Sequence, residues 1–147
     1  INYRESYDMF VCCGILFNHE SYLRKPNFFV KKILQDSIKI KTGLLDKLVV
    51  GNIDIKRDFG YAPSYVQGMY FMMQAEKPAD YTLCSGQSVQ LADMIDYLFQ
   101  KLSIPKNLVE ISDQLYRPVD IADIYGNSDK AKTELGWDYK LTYKDLL

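Results

Sequence analysis

The sequence has few of the residues that build metal centres or disulfide frameworks. It contains one histidine and three cysteines among 147 residues, and neither a Cys-x-x-Cys nor a His-Glu-x-x-His spacing occurs. Structural zinc sites need four such ligands, so we expect no metal centre. The cysteines, Cys12, Cys13 and Cys84, are odd in number and lie in apolar, strand-like runs. They are predicted to be buried free thiols in a reducing cytoplasm.

Long apolar runs are absent as well. The longest, residues 9–17, has nine residues, about half of the ~18 that span a bilayer, so we expect no membrane anchor and interpret this run as a buried strand. Eighteen Lys and Arg offset nineteen Asp and Glu, leaving a formal charge of -1 and a pI near 5.8. With no overall basic charge, nucleic acid is not an expected partner, and an anionic ligand would need local cations.

Glycine is too thinly spread to form a phosphate-binding loop. The eight glycines are never closer than eight residues apart, so neither Gly-x-Gly-x-x-Gly nor a P-loop can be written. One Tyr-x-x-x-Lys spacing occurs, Tyr97 to Lys101, a pattern that supplies the catalytic base of short-chain dehydrogenases. Tyr97 lies about 200° around a helix from the core residue Ile95, so we expect Tyr97 and Lys101 to face solvent.

Strand-like and helix-like patterns alternate along the chain. The strand-like runs are residues 9–17, 48–50, 81–84 and 108–111. Helical periodicity follows the first three, and a further helix at 128–135 is followed by Gly136 as its C-cap signal. Because neither repeats nor low-complexity linkers interrupt this alternation, it predicts an α/β fold and a single unit over residues 1–147.

Capping residues and apolar spacing predict where the helices start and which faces they bury. Asn27 and Ser88 are the expected N-caps of two helices, and a third begins at Pro63. Apolar residues recur in the third at i, i+3, i+4 and i+7, which predicts its buried face: Val66, Met69, Tyr70 and Met73. Residues 1–7 resemble the end of a longer helix and residues 142–147 the start of another with Thr142 as N-cap, so both ends are expected to be cut.

Polar residues with ligand-binding chemistry follow the first predicted strand. In open α/β sheets, ligands bind past the carboxyl ends of strands, which is where Asn18 and His19 lie. The Asn18 amide offers donors and an acceptor, and the His19 ring could stack on a flat cofactor or hydrogen-bond it. A hydrogen-bonded turn is the alternative interpretation, because both residue types suit turns.

Two later segments each place an arginine close to a carboxylate: Arg57 before Asp58, and Arg117 before Asp120. Arginine can bridge a diphosphate with two hydrogen bonds, and the Asp120 carboxylate could accept both hydroxyls of a ribose. Lys32, in the first turns of a helix, adds a third cation beside the positive end of the helix dipole. These positions predict a nucleoside diphosphate site if they converge; ordinary ion pairs are the alternative.

Six blocks of this sequence resemble the C-terminal half of the GDP-mannose 4,6-dehydratases, a family of extended short-chain dehydrogenases/reductases. They occur in family order at residues 2–7, 14–21, 27–33, 51–62, 116–120 and 128–137. The resemblance implies the last strands of a Rossmann-like sheet and a smaller substrate-binding α/β lobe. It also implies NADP as cofactor, a GDP-sugar as substrate, conversion of GDP-mannose to GDP-4-keto-6-deoxymannose, and a homo-oligomer of full-length chains.

The resemblance assigns roles to individual positions. His19 and Arg24 match residues that contact NADP. The positions that match substrate-binding residues are Asn18, Phe29, Lys32, Arg57, Arg117 and Asp120. Asp120 stands where the family usually has glutamate, which shortens its reach to the ribose by one methylene. Residues 21–24 lack the proline and one of the two arginines that the family has there.

The catalytic groups of the family match no position of this sequence. Its glycine-rich loop, its Ser or Thr, its Glu and its Tyr-x-x-x-Lys all belong to the N-terminal half. The resemblance therefore implies a C-terminal fragment that binds the GDP-sugar and one side of NADP, and that is inactive by itself. Three alternatives stay open: a GDP-heptose dehydratase, a GDP-4-keto-6-deoxymannose reductase, and a non-catalytic nucleotide-sugar-binding module.

Overall fold

The computed structural model describes residues 1–147 as helices alternating with short strands. In chain order the elements are α1 (Asn2–Tyr7), β1 (Cys13–Leu16), β2 (Asn18–Glu20), α2 (Phe29–Lys41), β3 (Leu48–Val50), β4 (Lys56–Arg57), β5 (Phe59–Tyr61), α3 (Ala62–Met72), β6 (Asp80–Leu83), β7 (Val89–Gln90), α4 (Leu91–Leu102), β8 (Val109–Ile111), β9 (Asp123–Ile124), α5 (Asp129–Leu135) and α6 (Tyr143–Leu146). Short 3-10 turns lie at Lys106–Leu108 and Asp113–Leu115.

Most strand pairs are parallel. β1 pairs with β6, β2 with β5 and β3 with β8, all in parallel register. In a three-stranded sheet of order β7-β4-β9, β4 is parallel to β9 and antiparallel to β7. Parallel neighbours need long crossover connections, and here these contain the helices, so the predicted α/β class is confirmed.

Two hydrophobic clusters divide the chain into two lobes. The larger joins α2, β3 and α4 through fully buried side chains such as Ile33, Leu48 and Met94. The smaller lies between α3, β6 and α5, where the Trp137 indole N–H donates to the carbonyl of Ser64 at 2.8 Å. The smaller cluster packs against the β1-β6 pair, and the larger cluster packs α2 and α4 together over β3.

A fully buried carboxylate connects segments that are far apart in the sequence. The Asp58 carboxylate lies between β4 and β5, where Oδ1 accepts hydrogen bonds from the backbone N–H and hydroxyl of Ser85 at 2.9 and 2.6 Å. Oδ2 accepts from the backbone N–H groups of Gly86 and Gly126 at 2.9 and 3.2 Å. A buried charge is tolerated only when it is well hydrogen-bonded, and four donors meet that need here.

Several sequence-based expectations are confirmed. The strand predicted at 48–50 is β3, and the runs predicted at 81–84 and 108–111 are β6 and β8 with shifts of one residue. Helix α5 ends at Gly136, whose φ of 68° is the left-handed conformation that glycine adopts without strain. Thr142 caps α6, with its backbone N–H and its hydroxyl both donating to Asp145 Oδ2 at 2.7 Å.

The interpretation of residues 9–17 as one buried strand is wrong. Only Cys13–Leu16 forms a strand, and the Ile15 side chain is 54% exposed. β1 pairs on one side only, with β6, so its other edge has no neighbour in this chain. The cysteine prediction holds for Cys84 alone, because Cys12 is half-buried and Cys13 is exposed. An apolar run in the sequence indicates a strand, but it does not indicate how many other strands or helices pack against that strand.

Two of the predicted N-caps are also wrong. Phe28 and Gln90 occupy the N-cap positions of α2 and α4, and neither makes a side-chain cap hydrogen bond. Asn27 lies one residue before this N-cap, Phe28, and two residues before the start of α2. Ser88 instead donates its hydroxyl hydrogen bond to Asp123 at 2.5 Å, because β7 separates it from α4. Tertiary pairing thus competes with capping for these short polar side chains.

Helix α3 buries a different face from the one predicted. The buried positions are Tyr65, Gly68 and Met72, one residue out of phase with the prediction. Each residue of the predicted face is exposed: Val66, Met69, Tyr70 and Met73. The helix is apolar around most of its circumference, so spacing alone does not select a face. Gly68 does select it, since a Cβ there would lie 2.9 Å from the Leu83 side chain.

We predict that Asp58→Asn strongly destabilises the fold. An amide presents one acceptor oxygen and one donor group, so two of the four inward donors would face another donor, at a cost of about 3 kcal/mol or more. Urea unfolding followed by circular dichroism measures this loss. The control is Asp54→Asn on the exposed Asp54, expected to change stability by less than about 0.5 kcal/mol. Equal losses in both variants would contradict the role given to Asp58.

Candidate functional site

A cavity of about 280 Å³ lies where β2 and β4 meet the loops that follow β3 and β8. We call it the central cavity. Its lining combines charge with aromatic surface: the charged residues are Glu20, Arg24, Arg57, Arg117 and Asp120, and the aromatic ones are Phe28, Phe29 and Phe59. Such a lining suits a ligand with an anionic part and a flat apolar part.

A second cavity of about 460 Å³ continues from the central one. The two share the polar residues Asn18, Arg57, Arg117 and Asp120. The remainder of the second cavity is apolar and extends along the end of β1 through Ile15, Leu16 and Phe17. The two cavities therefore form one groove whose polar groups lie in the middle, with an aromatic compartment on one side and an apolar compartment on the other.

Two contacts bring the loop after β8 to this groove. The backbone N–H of Ser112 donates to the carbonyl of Val50 at 2.8 Å, which continues the β3-β8 pairing by one residue. At Gly51, a Cβ would lie 2.6 Å from the carbonyl oxygen of Leu115. The absence of a side chain at Gly51 thus allows the loop that carries Arg117 to approach β3.

The structure brings six of the eight sequence-predicted site residues to the central cavity: Asn18, Arg24, Phe29, Arg57, Arg117 and Asp120. His19 and Lys32 do not line it. The Lys32 ammonium group is bound by Asp36 on its own helix at 2.9 Å. The His19 ring packs 5.6 Å from the ring of Tyr65, and its Nδ1 lies 3.0 Å from the carbonyl oxygen of Phe17.

Strand alternation explains the different positions of Asn18 and His19. Successive side chains of β2 point to opposite faces, so Asn18 and Glu20 both reach the central cavity while His19 points away from it. The Asn18 amide is held by donation to the backbone carbonyl of Asp58 at 3.2 Å. Sequence reasoning missed Glu20, although the two-residue period from Asn18 would have indicated it.

The buried Glu20 and the half-buried Arg24 form an ion pair that lines the cavity. Glu20 is 6% exposed, and its Oε2 lies 3.6 Å from Arg24 Nε, with neither atom in a hydrogen bond. The Arg24 guanidinium lies 3.5 Å above the Phe28 ring. Burial raises the pKa of the Glu20 carboxyl, and electrostatic interactions with Arg24 and, to a smaller degree, with His19 oppose this effect. The positive charge of Arg24, rather than a hydrogen bond, therefore offsets part of the cost of burying this carboxyl group.

The two arginines nearest the middle of the groove differ in their contacts with the protein. Arg57 lies in β4, a short strand where sequence reasoning placed a loop, and its side chain is 12% exposed. Its Nη2 donates to Asp120 Oδ1 at 2.5 Å, and its Nη1 donates to the carbonyls of Lys56 and Ile121 at 2.6 Å. Arg117 is exposed and forms no salt bridge. The Arg57 guanidinium is thus held by protein acceptors, whereas the Arg117 guanidinium has none.

The Tyr-x-x-x-Lys pair lies outside the groove. Lys101 is exposed, as expected, with its Nζ 5.5 Å from the centre of the Tyr97 ring. Tyr97 itself is half-buried, because its ring packs edge-on against Tyr143 at 6.1 Å. No cluster of three or more potential metal ligands is present. None of the helices has the length and hydrophobicity needed to cross a membrane.

Comparison with known protein families identifies the relatives of this chain. The sequence model described as GDP-mannose 4,6 dehydratase matches residues 1–147. The chain belongs to the GDP-mannose 4,6-dehydratase family. The six blocks noted in the sequence therefore reflect membership of this family, and the α/β fold with its parallel strand pairs matches a C-terminal fragment of the family.

Individual relatives agree with this assignment. The chain is 40% identical to GDP-mannose 4,6 dehydratase 1 of Arabidopsis thaliana, matching all of this chain and 41% of the relative. It is 32% identical to the human GDP-mannose 4,6 dehydratase, matching all of this chain and 44% of that protein. The chain thus spans less than half of the length of these curated relatives.

Solved structures show the same fold at lower sequence identity. RMD from Pseudomonas aeruginosa, complexed with NADPH, superposes with a TM-score of 0.85 at 22% identity over 99% of this chain and 48% of that one. The dTDP-glucose 4,6-dehydratase of Bacillus anthracis, in complex with NAD, gives 0.82 at 14% identity over 98% and 44%. The fold of this GDP-mannose 4,6-dehydratase family member is therefore shared with other nucleotide-sugar enzymes.

We predict that the pKa of Glu20 affects the pH dependence of stability. The raised pKa means that the folded chain keeps this proton above the ordinary value of 4.5, where the unfolded chain has lost it. The wild type should therefore lose stability relative to Glu20→Gln as the pH rises from about 4.5 through the folded-state pKa. Urea unfolding of both proteins across this range measures the difference, with Glu76→Gln on the exposed Glu76 as control. If the wild type instead gained stability relative to Glu20→Gln as the pH rises, the raised pKa of Glu20 would be contradicted.

Proposed function

We propose that this chain is the nucleotide-sugar-binding portion of a GDP-mannose 4,6-dehydratase, and that the groove holds GDP-mannose. The observation that carries the proposal is the set of residues shared by the two cavities, Asn18, Arg57, Arg117 and Asp120. A nucleotide sugar has its two phosphates between a flat base and a hexose. The groove has two arginines between an aromatic and an apolar compartment, which is the same order.

The groove suggests an orientation for the substrate. The base would lie against the phenylalanines of the central cavity, Phe28, Phe29 and Phe59. The diphosphate would lie at Arg57 and Arg117, with the Asn18 amide as a further donor. The hexose would then extend into the second cavity toward the end of β1. Recruiting Lys32 as a third cation would require release of its ion pair with Asp36.

The residues of this chain fit only one side of an NADP site. Arg24 lies in the central cavity beside Glu20, so it does not share a surface with His19. The carbonyl of Phe17 can only accept, so Nδ1 of His19 carries the proton of the neutral ring and Nε2 is left as an acceptor. We propose that His19 contacts the cofactor from this side and that most of NADP is bound by N-terminal residues outside this sequence. When bound, NADP supplies the hydride acceptor.

The activity is proposed for the longer protein, and the 147 residues alone are expected to be inactive. The relatives are more than twice as long, and the catalytic groups that the resemblance places in their N-terminal half have no counterpart here. We further propose a homo-oligomer of full-length chains and a cytoplasmic location, since all three cysteines are unpaired. A GDP-heptose dehydratase, a reductase or a non-catalytic module would bind the same GDP part, so the tests separate binding from turnover.

We predict that the chain binds GDP and that Arg117→Ala weakens this binding about tenfold, which is ~1.4 kcal/mol. The reason is that Arg117 has no protein partner and would donate charge-assisted hydrogen bonds to the diphosphate. Titration calorimetry with GDP and with guanosine measures the effect, which should appear for GDP alone. Lys140→Ala, on the exposed Lys140 outside the groove, is the matched control. Absence of GDP binding by the wild type would contradict the proposal.

We also predict that the chain alone gives no turnover. Incubation with NADP and GDP-mannose should leave the sugar nucleotide unchanged, because the Ser or Thr, the Glu and the Tyr-x-x-x-Lys that the resemblance assigns to the reaction match no position of these 147 residues. Mass spectrometry detects the loss of one water that dehydration produces. Formation of that product by the 147 residues would contradict the proposal that this chain binds the substrate while the N-terminal half supplies the catalytic groups.

A further inference from the structure

The histidine on the far side of β2 has a glycine as its cross-strand neighbour. His19 pairs in parallel register with Gly60 of β5, so the two positions project to the same face of this strand pair. Gly60 has no side chain to place beside the imidazole. The Tyr65 ring, from the start of α3, lies in that space instead, since a Cβ at Gly60 would overlap it. The place beside His19 is therefore filled from another element.

The Tyr65 ring is itself held in one orientation. It packs edge-on against Trp137 and Tyr139, with 5.8 and 5.9 Å between the ring centres. The Trp137 indole N–H donates to the carbonyl of Ser64 at 2.8 Å, and the Tyr139 hydroxyl accepts from the backbone N–H of Tyr61 at 2.9 Å. Both hydrogen bonds attach these rings to the chain just before Tyr65, so the aromatic cluster keeps its shape.

We propose that Tyr65 is a positioning residue for His19. Its ring keeps the imidazole oriented so that Nδ1–H stays on the carbonyl of Phe17 and Nε2 stays an unprotonated acceptor for the cofactor. This inference rests on the proposed function, in which His19 contacts NADP. Tyr65 is 1% exposed, so it does not reach the cofactor and acts through His19 alone.

Two contacts together restrain the His19 ring. Nδ1 lies 3.0 Å from the carbonyl oxygen of Phe17, which holds one edge of the imidazole. The Tyr65 ring lies against the imidazole itself, with 5.6 Å between the ring centres and a tilt of 48°, a favourable distance for aromatic pairs. Rotation of the imidazole about its bond to the backbone would break both contacts.

The hydrogen bond to Phe17 does not restrain the ring by itself. A hydrogen bond between neutral groups contributes little net stability where water competes for its partners. His19 is half-buried, so water reaches its ring. Without Tyr65 the imidazole would exchange between orientations and between its two neutral tautomers. Packing against Tyr65 removes this freedom, and a side chain that is already ordered loses less entropy when it binds a ligand.

The inference is tested first without any ligand, because His19 is the only histidine of the chain. Long-range 1H-15N NMR, well above the ordinary histidine pKa of about 6.5, shows which ring nitrogen carries the proton. We expect Nδ1 in the wild type and in Tyr65→Phe, which keeps the ring, and a proton spread over both nitrogens in Tyr65→Leu. Tyr81→Leu is the matched control, because Tyr81 is buried in the same cluster but contacts Lys130 and Glu134.

A second variant alters the same contact without changing either ring. The Cβ of Gly60→Ala would displace the Tyr65 ring, so the His19 proton should redistribute as in Tyr65→Leu. Gly14→Ala is its control, because a Cβ there would lie an ordinary 3.6 Å from the nearest side chain, that of Met72. A proton that stays on Nδ1 in the folded variants, or that lies on Nε2 in the wild type, would overturn the inference.

If circular dichroism shows that neither variant folds, the wild type decides. Nuclear Overhauser contacts between the His19 and Tyr65 rings, together with a proton on Nδ1, would support the inference, and the absence of either would overturn it.

Cofactor binding then separates this inference from the proposed function. In the longer protein, we expect Tyr65→Leu to weaken NADP binding about tenfold, to leave GDP binding unchanged, and to have no further effect in a His19→Ala background. Weaker NADP binding in His19→Ala but not in Tyr65→Leu would overturn the inference. NADP binding that is unaffected by His19→Ala would overturn the proposed cofactor contact, while the NMR result would still decide whether Tyr65 positions His19.

Discussion

Burial of the Asp58 carboxylate is the constraint on which the groove depends. Its four inward hydrogen bonds tie the β4-β5 junction to the loop after β6 and to the loop before α5. Its backbone carbonyl holds the Asn18 amide, and its chain neighbour is Arg57. The two residues that mark the middle of the groove are therefore positioned by one buried charge that takes no part in lining it. A buried carboxylate enforces this geometry because leaving any donor or oxygen unpaired is costly.

Charge pairing inside the groove follows the same principle. Arg57 is paired with Asp120 and Arg24 with Glu20, so two of the three arginines are neutralised by protein groups before any ligand arrives. Arg117 alone carries uncompensated charge on a loop. This arrangement separates two requirements of anion binding, because the paired arginines provide fixed geometry and the unpaired one provides net attraction. The overall charge of -1 is therefore no obstacle to binding an anion locally.

The errors of sequence reasoning have a common physical origin. The helix pattern of α3 was recognised but its buried face was wrong, and Gly68, which decides that face, acts through its contact with Leu83 in another element. The run at 9–17 was recognised as strand-forming, but its exposure follows from the single neighbour of β1. Glu20 was assigned no role from the sequence, and its burial follows from the packing of β2 beside β5.

The sequence by itself determined the α/β class, most strand and helix positions, the family, and the residue types from which a nucleotide site would be built. These depend on local periodicity and on short ordered blocks. Only the tertiary structure decided which of those residues meet, since convergence depends on strand pairing between distant segments, as between β4 and β9. It separated His19 and Lys32 from the other six predicted residues and added Glu20. It also paired Asp120 with Arg57, 63 positions away in the chain.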